Sequence, residues 1–504
     1  MNKYQPTIGL EIHAELKTRT KMFCDSLNDP NEKHPNTNVC PVCLGHPGTL
    51  PTINKQAVEH VIKVGLALGG KINPITKFDR KNYFYPDLPK GYQISQYDQP
   101  LVSGGTLNGA RITRVHLEED TGTLAHYDNN NDNDKKTESH SHGQKSSYSL
   151  VDYNRAGTPL MELVTEPDLK SADEVVAFAK EFQLILRYLR VSAAEMEKGQ
   201  MRIEANVSVG QMAPKQNKFA TGQANGEWQM GQKVELKNIN SFRFAKDAIE
   251  YEIKRQTEAL ERGEKIKQET RGWDENNKKT VSQRSKEEAH DYRYFPEPDL
   301  PPFETNVFDL EKLRAEIPEL PHAKRIRFVK EYKLEEKKAV LIADDPRTAE
   351  FFEEYVSELR GFSPGAQPGQ GVEYILNDLR GLMAEQGAGF ADLKIEPEHI
   401  AHLEFLIQKG TIGSRQAKDV LRKMFETGLD PETIVRNEGL ATVSDEDELK
   451  AAIEGVISEN PSAAADYKKG KTASLQFLVG KVMQKTKGRA QVDKLKEILI
   501  ETLK

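Results

Sequence analysis

The chain has 504 residues, 30% charged and 37% hydrophobic, with a mean hydropathy of −0.67 and a formal net charge of −7. That length exceeds what one core usually organises, so two to four domains are expected. No apolar run approaches the ~20 residues needed to cross a bilayer, and the acidic balance excludes a whole-surface electrostatic grip on nucleic acid.

The segment Ile8-Gly-Leu-Glu-Ile-His-Ala-Glu-Leu16 has an apolar residue at every second position, the period of a half-buried strand. Its other face carries Glu11, His13 and Glu15. Glu11 and His13 leave that face roughly 7 Å apart, close enough to converge on one divalent cation. A solvated polar face is the plainer alternative. The chain enters this strand almost at once, leaving no room for a secretory or transit segment, so the cytoplasm is the expected compartment. Three cysteines, Cys24, Cys40 and Cys43, cannot build a disulfide framework. Cys40-Pro-Val-Cys43 has the C-x-x-C spacing of zinc loops, with His34, His46 or Asp25 near enough in sequence to be a fourth ligand.

Residues 54–68 read as a helix with Ala57, Val61, Ile62 and Leu68 on one side. Residues 77–87 form an aromatic-rich loop centred on Arg80 and Lys81, broken by Pro86, Pro89 and Gly91. Residues 111–118 alternate again: Val115, Leu117 and Glu119 share one face, and Arg114, His116 and Glu118 the other. Residues 127–147, with His140 and His142, have little to bury and are expected to be an exposed hairpin excursion. Ser171-Ala-Asp-Glu174 is a capping box opening a helix to about residue 190. Residues 202–209 alternate strictly, Arg202, Glu204, Asn206 and Ser208 against Ile203, Ala205, Val207 and Val209. A further strand at 233–238 sets Glu235 opposite Val234 and Leu236, and a polar, one-sided helix follows at 245–262. Residues 1–296 thus read as an α+β domain with an antiparallel sheet. Several of its polar faces carry groups that bind cations and phosphates, which points to a site.

Pro296, Pro298, Pro301 and Pro302 mark a boundary. Beyond it the periodicity is helical, at 308–315, 323–332 and 348–359. A Gly/Pro loop at 361–371 and shorter helices at 402–409, 414–427, 445–458 and 473–485 follow. This predicts a helical domain at 297–401 and a small helical tail at 402–504. From residue 461 onward ten Lys/Arg stand against four acids, so the tail carries +6 and the rest of the chain −13. Such asymmetry suggests a polyanion partner, with a solvated helix face as the alternative. Gly470-Lys-Thr472 imitates the end of a P-loop, but Ala465 stands where a glycine is required and no strand precedes it. Gly369-Gln-Gly371 lacks the third glycine of a dinucleotide fingerprint. Nucleotide chemistry here needs a site built from sheet-face side chains and a metal.

Longer ordered words run through the chain: Gly9-Leu-Glu-Ile-His13, Asp79-Arg-Lys-Asn-Tyr-Phe-Tyr-Pro-Asp87, Tyr92-Gln-Ile-Ser-Gln96 and His116-Leu-Glu-Glu-Asp120. Val151-Asp-Tyr-Asn-Arg-Ala-Gly-Thr-Pro159, Thr165-Glu-Pro-Asp168, Glu204-Ala-Asn-Val-Ser208, Glu235-Leu-Lys-Asn238 and Asp291-Tyr-Arg-Tyr-Phe-Pro-Glu-Pro298 continue the series. Together they resemble the GatB family, the B subunits of glutamyl/aspartyl-tRNA amidotransferases. Phe477-Leu-Val-Gly480 and Lys485-Thr-Lys-Gly488 resemble that family's YqeY-like tail.

The resemblance implies a cradle domain with a kinase site at 1–296, a helical linker domain at 297–401 and a tRNA-binding tail at 402–504. It implies a heterotrimer with a GatA-like amidase subunit, which supplies ammonia, and a GatC-like subunit. ATP would phosphorylate the side-chain carboxylate of misacylated Glu-tRNA(Gln) or Asp-tRNA(Asn), and channelled ammonia would then attack the acyl phosphate.

By the same resemblance Mg²⁺ is assigned to Glu11, His13, Glu119 and Glu235, with Glu118 able to replace Glu119 after a small change in register. Lys81 and Glu204 are the catalytic candidates, Lys81 at the phosphates or the channel mouth with Arg80 as its substitute. Arg80, Tyr83, Arg202 and Asn206 are expected to contact nucleotide or substrate. Tyr83, Phe84 and Tyr85 offer rings to the terminal adenosine of tRNA. Lys481, Lys485, Lys487 and Arg489 are the tail's candidates for tRNA. Members with a zinc knuckle carry Cys-x-Cys before Cys-x-x-Cys. Here Ser26 follows Cys24-Asp25, so either His34 or His46 substitutes or the loop is held without metal.

Overall fold

The computed structural model describes residues 3–127, 148–213, 227–285, 292–441, 446–486, 489–490 and 492–503. The chain divides into two compact units, Met1–Pro321 and His322–Lys504. The expected excursion at 127–147, with His140 and His142, lies outside the described residues except for Tyr127. Two strands that flank it, Thr123–Tyr127 and Tyr148–Asp152, pair antiparallel.

The first unit is built on a twisted sheet. Its principal elements are β1 (Tyr4–Glu15), α1 (Lys55–Ala67), β2 (Asp79–Asn82), β3 (Tyr92–Ser95), β4 (Ala110–Glu119), β5 (Pro159–Thr165), α2 (Ala172–Tyr188), β6 (Met201–Ala213), β7 (Val234–Ile239), α3 (Phe242–Glu261), β8 (Glu269–Asp274) and β9 (Lys279–Ser285). The long sheet runs β9-β8-β7-β6-β1-β5-β4, then continues through two short strands. β1 is central, antiparallel to β5 on one side and β6 on the other. The sheet is mixed rather than wholly antiparallel, because β7 and β8 run parallel. That pair is joined by α3, the crossover a parallel connection requires. β2 and β3 form a smaller antiparallel sheet with the strand Phe295–Pro296.

One side of the long sheet makes the core. Ile8, Leu10, Ile12, Ala14 and Leu16 of β1 are buried with Val175, Phe178 and Phe182 of α2 and Ala245, Ala248 and Ile249 of α3. Full burial of one such aliphatic side chain contributes roughly 1.5–3 kcal/mol, so the alternation of β1 fixes which face is left for chemistry. The helices start where side chains satisfy their free N–H groups. Asn54 accepts from Ala57 N at 3.2 Å, Ser171 from Glu174 N at 3.2 Å and Ser241 from Phe244 N at 3.1 Å. Glu174 closes back on Lys170 N at 2.8 Å, one residue before its expected partner Ser171. Downstream of the proline cluster, Leu300 and Leu313 still pack in this core. The compact unit runs on to Pro321.

The secondary-structure elements of the second unit's described residues are all helices. Phe328, Phe352 and Tyr355 are buried, and Tyr355 donates to Glu404 at 2.5 Å. Gly371 lets the chain pass close to this pair: a Cβ there would meet the Tyr355 ring at 2.5 Å. The last helices pack through Leu449, Ile453, Leu478, Val482, Leu495 and Leu499. Among the described residues no helix is long and apolar enough to cross a membrane.

Candidate active site

The polar face of the long sheet carries two adjoining clusters, and strand register explains both. His13 stands opposite Glu162 on β5 and Arg202 on β6, and Glu162 in turn opposes His116 on β4. Directly opposed residues share a face, so the four side chains project together. Glu118 is two residues along from His116 and joins them. His13 Nε2 lies 3.5 Å from Glu118 and 3.4 Å from Glu162, while His116 Nε2 lies 3.3 Å from Glu162. His13, Glu118 and Glu162 offer ligand atoms within 4.8 Å of one another. Burial pulls the His13 imidazolium down, but the Glu162 hydrogen bond and the Glu162, Glu118 and Glu204 charges outweigh it and raise His13 to about 9. Glu162 is pushed up by burial yet held well below the usual carboxylate range by His116 and His13.

The second cluster uses the next row. Glu11 stands opposite Glu204, and Asn206 opposite Glu235 on β7. Glu11, Glu204 and Glu235 also place ligand atoms within 4.8 Å of one another. Asn206 donates to Glu11 at 2.9 Å and Thr270 to Glu235 at 2.7 Å. Burial, then the Glu162, Glu204 and Glu235 charges, push the Glu11 carboxyl up. Two like charges about 5 Å apart repel by roughly 3 kcal/mol at an effective dielectric near 20, which a bound cation or a proton on Glu11 relieves. Lys237 supplies part of the counter-charge: its Nζ lies 2.9 Å from Glu204 and 3.5 Å from Glu235.

Lys81 reaches these clusters from β2. Its ammonium lies 5.2 Å over the Tyr292 ring and makes no ion pair among the described residues. Burial lowers its proton affinity, but the charges of Glu118 and Glu162 more than compensate and raise it. Arg80, one residue earlier, points elsewhere. It grips Glu297 with two hydrogen bonds of 2.7 and 2.8 Å and stacks 4.2 Å over the Tyr92 ring. Arg80 is a structural anchor and does not join the cluster. Arg202 lies at its edge, bound to Asp120 at 3.0 Å. Burial and the Asp120 charge push the neighbouring Glu15 up to about 7. Tyr83 packs edge-on against Tyr292 at 6.0 Å and is half-buried. Phe84, in contrast, is 88% exposed, the most open ring of the three.

Glu119 is not brought to this face. It follows Leu117 on the opposite side of β4, where Lys90 binds its carboxylate and Ile94 N donates to it at 3.0 Å. The register places Glu118 where Glu119 was expected. Glu162, His116 and Lys237 were missed. For Glu162 the signal was a lone acid inside the apolar strand Pro-Leu-Met-Glu-Leu-Val-Thr, which burial tolerates only beside a partner.

The fit of the face to a divalent cation rests on its donor set. Five carboxylates (Glu11, Glu118, Glu162, Glu204 and Glu235) outnumber the two ammonium groups, Lys81 and Lys237. His13 Nδ1 and Asn206 Oδ1, both buried, have no hydrogen-bond partner among the described residues. Oxygen-rich, partly unsatisfied sites of this kind suit a hard cation such as Mg²⁺.

A family model described as the GatB/GatE catalytic domain matches residues 6–308, which contain the whole of this face. A second, described as a GatB domain, matches residues 350–503. The chain is 47% identical to the B subunit of aspartyl/glutamyl-tRNA(Asn/Gln) amidotransferase from Thermomicrobium roseum, over 99% of both chains. Identity to the protein of the same name from Persephonella marina is 45% over the full length of both. For that of Brevibacillus brevis it is 44% over 100% of this chain and 99% of the relative. The chain belongs to the GatB family.

Cys24, Cys40 and Cys43 bring their sulfurs within 4.8 Å of one another. His34 is not with them, being exposed and bound to Glu32 at 2.9 Å, and His46 is not in the group either. Lys21, fully buried, sends its Nζ to 3.8 Å from Cys43 Sγ and 3.2 Å from the Tyr153 carbonyl. The Cys24 thiol's hydrogen bond, then the Lys21 charge, push the Cys43 thiol down to about 5, against the effect of burial. Three sulfurs and a buried ammonium do not fit a four-cysteine zinc knuckle, because an ammonium has no lone pair to offer a metal. In the tail, Lys485 pairs with Glu459 at 2.7 Å and Arg489 Nε donates to the Thr486 carbonyl at 3.3 Å. Lys481 lies 5.7 Å over the Phe477 ring without an ion pair among the described residues. Lys487 lies outside the described residues.

Proposed function

We infer that the chain is the B subunit of a tRNA-dependent amidotransferase, a carbon–nitrogen ligase that converts Glu-tRNA(Gln) or Asp-tRNA(Asn) to Gln-tRNA(Gln) or Asn-tRNA(Asn). One observation carries the reading: the sheet face that gathers Glu11, His13, Glu118, Glu162, Glu204 and Glu235 lies wholly within the match to the catalytic domain.

The chemistry asks for such a face. A free carboxylate resists attack by ammonia because its leaving group would be oxide. ATP-dependent phosphorylation of the side-chain carboxylate turns that oxygen into a phosphate that can leave. Glu11, His13, Glu118, Glu162, Glu204 and Glu235 would hold Mg²⁺, which when bound offsets charge on the transferring phosphoryl group. Lys81, without a carboxylate partner among the described residues, is suited to bind an anionic phosphate oxygen over Tyr292. Lys237 neutralises Glu204 and Glu235 until the cation takes its place. Asn206 and Arg202 orient substrate or nucleotide at the rim, and Phe84 offers a ring for the tRNA terminus. Ammonia then attacks the acyl phosphate.

In the same reading residues 1–296, with the continuation of their core to Pro321, are the catalytic cradle, the rest of 297–401 is a linker, and 402–504 is a tRNA-binding tail in which Lys481, Lys485, Lys487 and Arg489 meet phosphates. A GatA-like amidase subunit supplies ammonia, a GatC-like subunit completes the heterotrimer, and the complex works in the cytoplasm. The test is amidation of each misacylated tRNA by the chain reconstituted with its GatA-like and GatC-like partners, with ATP and Mg²⁺ present or withheld. Amide formation independent of ATP would overturn the kinase reading.

A further inference from the structure

The cysteine loop lies away from the transfer face. Lys21 and Cys43 flank Gly157, where the nearest carboxylate is Glu119, not Glu118. Cys24 and Cys43 open onto one cavity of about 220 Å³, which His46 also lines without joining the sulfurs and which Cys40 does not line. We propose that this loop is a metal-free, reversibly oxidisable clasp, with Cys43 as the reactive thiolate, Cys24 as the resolving thiol and Lys21 as the cation that holds them.

Three contacts carry the assignment. A fully buried ammonium needs an anion, since burying an unpaired charge is prohibitive. Among the described residues Lys21 has no carboxylate partner, and Cys43 Sγ is its nearest candidate counter-charge. Cys40 N donates to Cys43 Sγ at 3.1 Å, a shorter contact than the 3.4 Å from that sulfur to the Cys40 carbonyl, so the pair favours the ionised sulfur. Cys24 sits in an irregular stretch, within 4.8 Å of Cys43 and on the same cavity. A disulfide would bring the Cys24 and Cys43 sulfurs from within 4.8 Å to roughly 2 Å.

The oxidant class is a hydroperoxide, with hydrogen peroxide as the simplest member. The Cys43 thiolate attacks one peroxide oxygen, the O–O bond breaks, and hydroxide leaves with the electron pair, giving Cys43 sulfenic acid. The Cys24 sulfur then attacks Cys43, the S–O bond breaks, and the departing hydroxide takes the Cys24 proton as water. The two sulfurs are oxidised by two electrons, and one peroxide is reduced to hydroxide and water. A dithiol reductant reverses the change.

The test uses the full-length chain in its reconstituted complex. Elemental analysis measures zinc, and mass spectrometry after iodoacetamide reads each cysteine before and after one equivalent of hydrogen peroxide. The expected result is substoichiometric zinc, a Cys24–Cys43 disulfide that dithiothreitol removes, and Cys40 still alkylated. Cys24→Ser should halt at Cys43 sulfenic acid, and Lys21→Met should slow Cys43 alkylation at neutral pH about tenfold. Stoichiometric zinc with all three sulfurs protected would overturn the proposal, as would a Cys40–Cys43 disulfide. If Lys21→Met does not fold, wild-type rates decide: Cys43 alkylating more slowly than Cys24 overturns the assignment.

Discussion

Lys237 sits among the carboxylates of Glu204 and Glu235, where the proposed Mg²⁺ would bind. A divalent cation arriving there must displace the ammonium, so Lys237→Met should tighten cation binding while weakening the cation-free protein. At 2.9 and 3.5 Å the gross attraction is about 5 kcal/mol per contact at an effective dielectric near 20. Desolvation and the 37% exposure of the Lys237 side chain reduce this to a net of about 1 kcal/mol. Removing the competitor should therefore lower the Kd for Mn²⁺, used as a probe for Mg²⁺, about fivefold. Without cation, Glu204 and Glu235 lose their shared counter-charge, and Tm should fall by about 3 °C. Titration calorimetry and thermal unfolding, each with and without Mn²⁺, measure both effects. Mn²⁺ binding that is unchanged or weaker in Lys237→Met would refute this reasoning.

Glu118→Gln should reduce amidation at least about a hundredfold, since it strips a carboxylate from the His13 cluster; steady-state rates of Glu119→Gln in the same complex check that the register, not local acidity, decides. Arg80→Ala should destabilise the first unit by about 3 kcal/mol because it strands the buried Glu297. Lys81→Met breaks no direct ion pair but removes a cation from beside Glu118 and Glu162, so it should lower Tm less than Arg80→Ala does and still lose amidation; the two melting curves separate these roles. For Asp120, burial raises the carboxyl, but the Arg202 and Arg155 charges outweigh it and hold it near 2, against an ordinary 3.8. A depressed carboxyl contributes stability that is present above pH 3.8 and lost as pH falls toward 2, about 2 kcal/mol in all. Acid unfolding of Asp120→Asn should accordingly be shallower over that range.

Much of the face was legible from periodicity. Alternation in β1 and β6 assigned Glu11, His13, Arg202, Glu204 and Asn206 to one side, because one buried face fixes the parity of every side chain on a strand. The same rule applied to β4 separated Glu118 from Glu119, and placing Glu119 at the metal by resemblance overrode it. Glu162 lay hidden because β5 is buried and apolar on both sides, so alternation gives no signal there. Lys237 was read only as part of a strand, since nothing local says that an ammonium will reach two acids on neighbouring rows. Arg80 and Lys81 are consecutive, and their division between anchor and site follows from β2 pairing with Phe295–Pro296, a contact over two hundred residues away in sequence. Ser26 announced the incomplete knuckle, but only packing reveals that Lys21 stands among the sulfurs.

The most direct test is single-turnover amidation by the heterotrimer carrying Glu11→Ala, followed with Glu-tRNA(Gln), ATP and Mg²⁺, alongside a tRNA-binding measurement. Loss of ATP-dependent amide formation with tRNA affinity within a few-fold of wild type is the expected result. Wild-type amidation rates in that variant would contradict the assignment of the polar sheet face as the phosphoryl-transfer site.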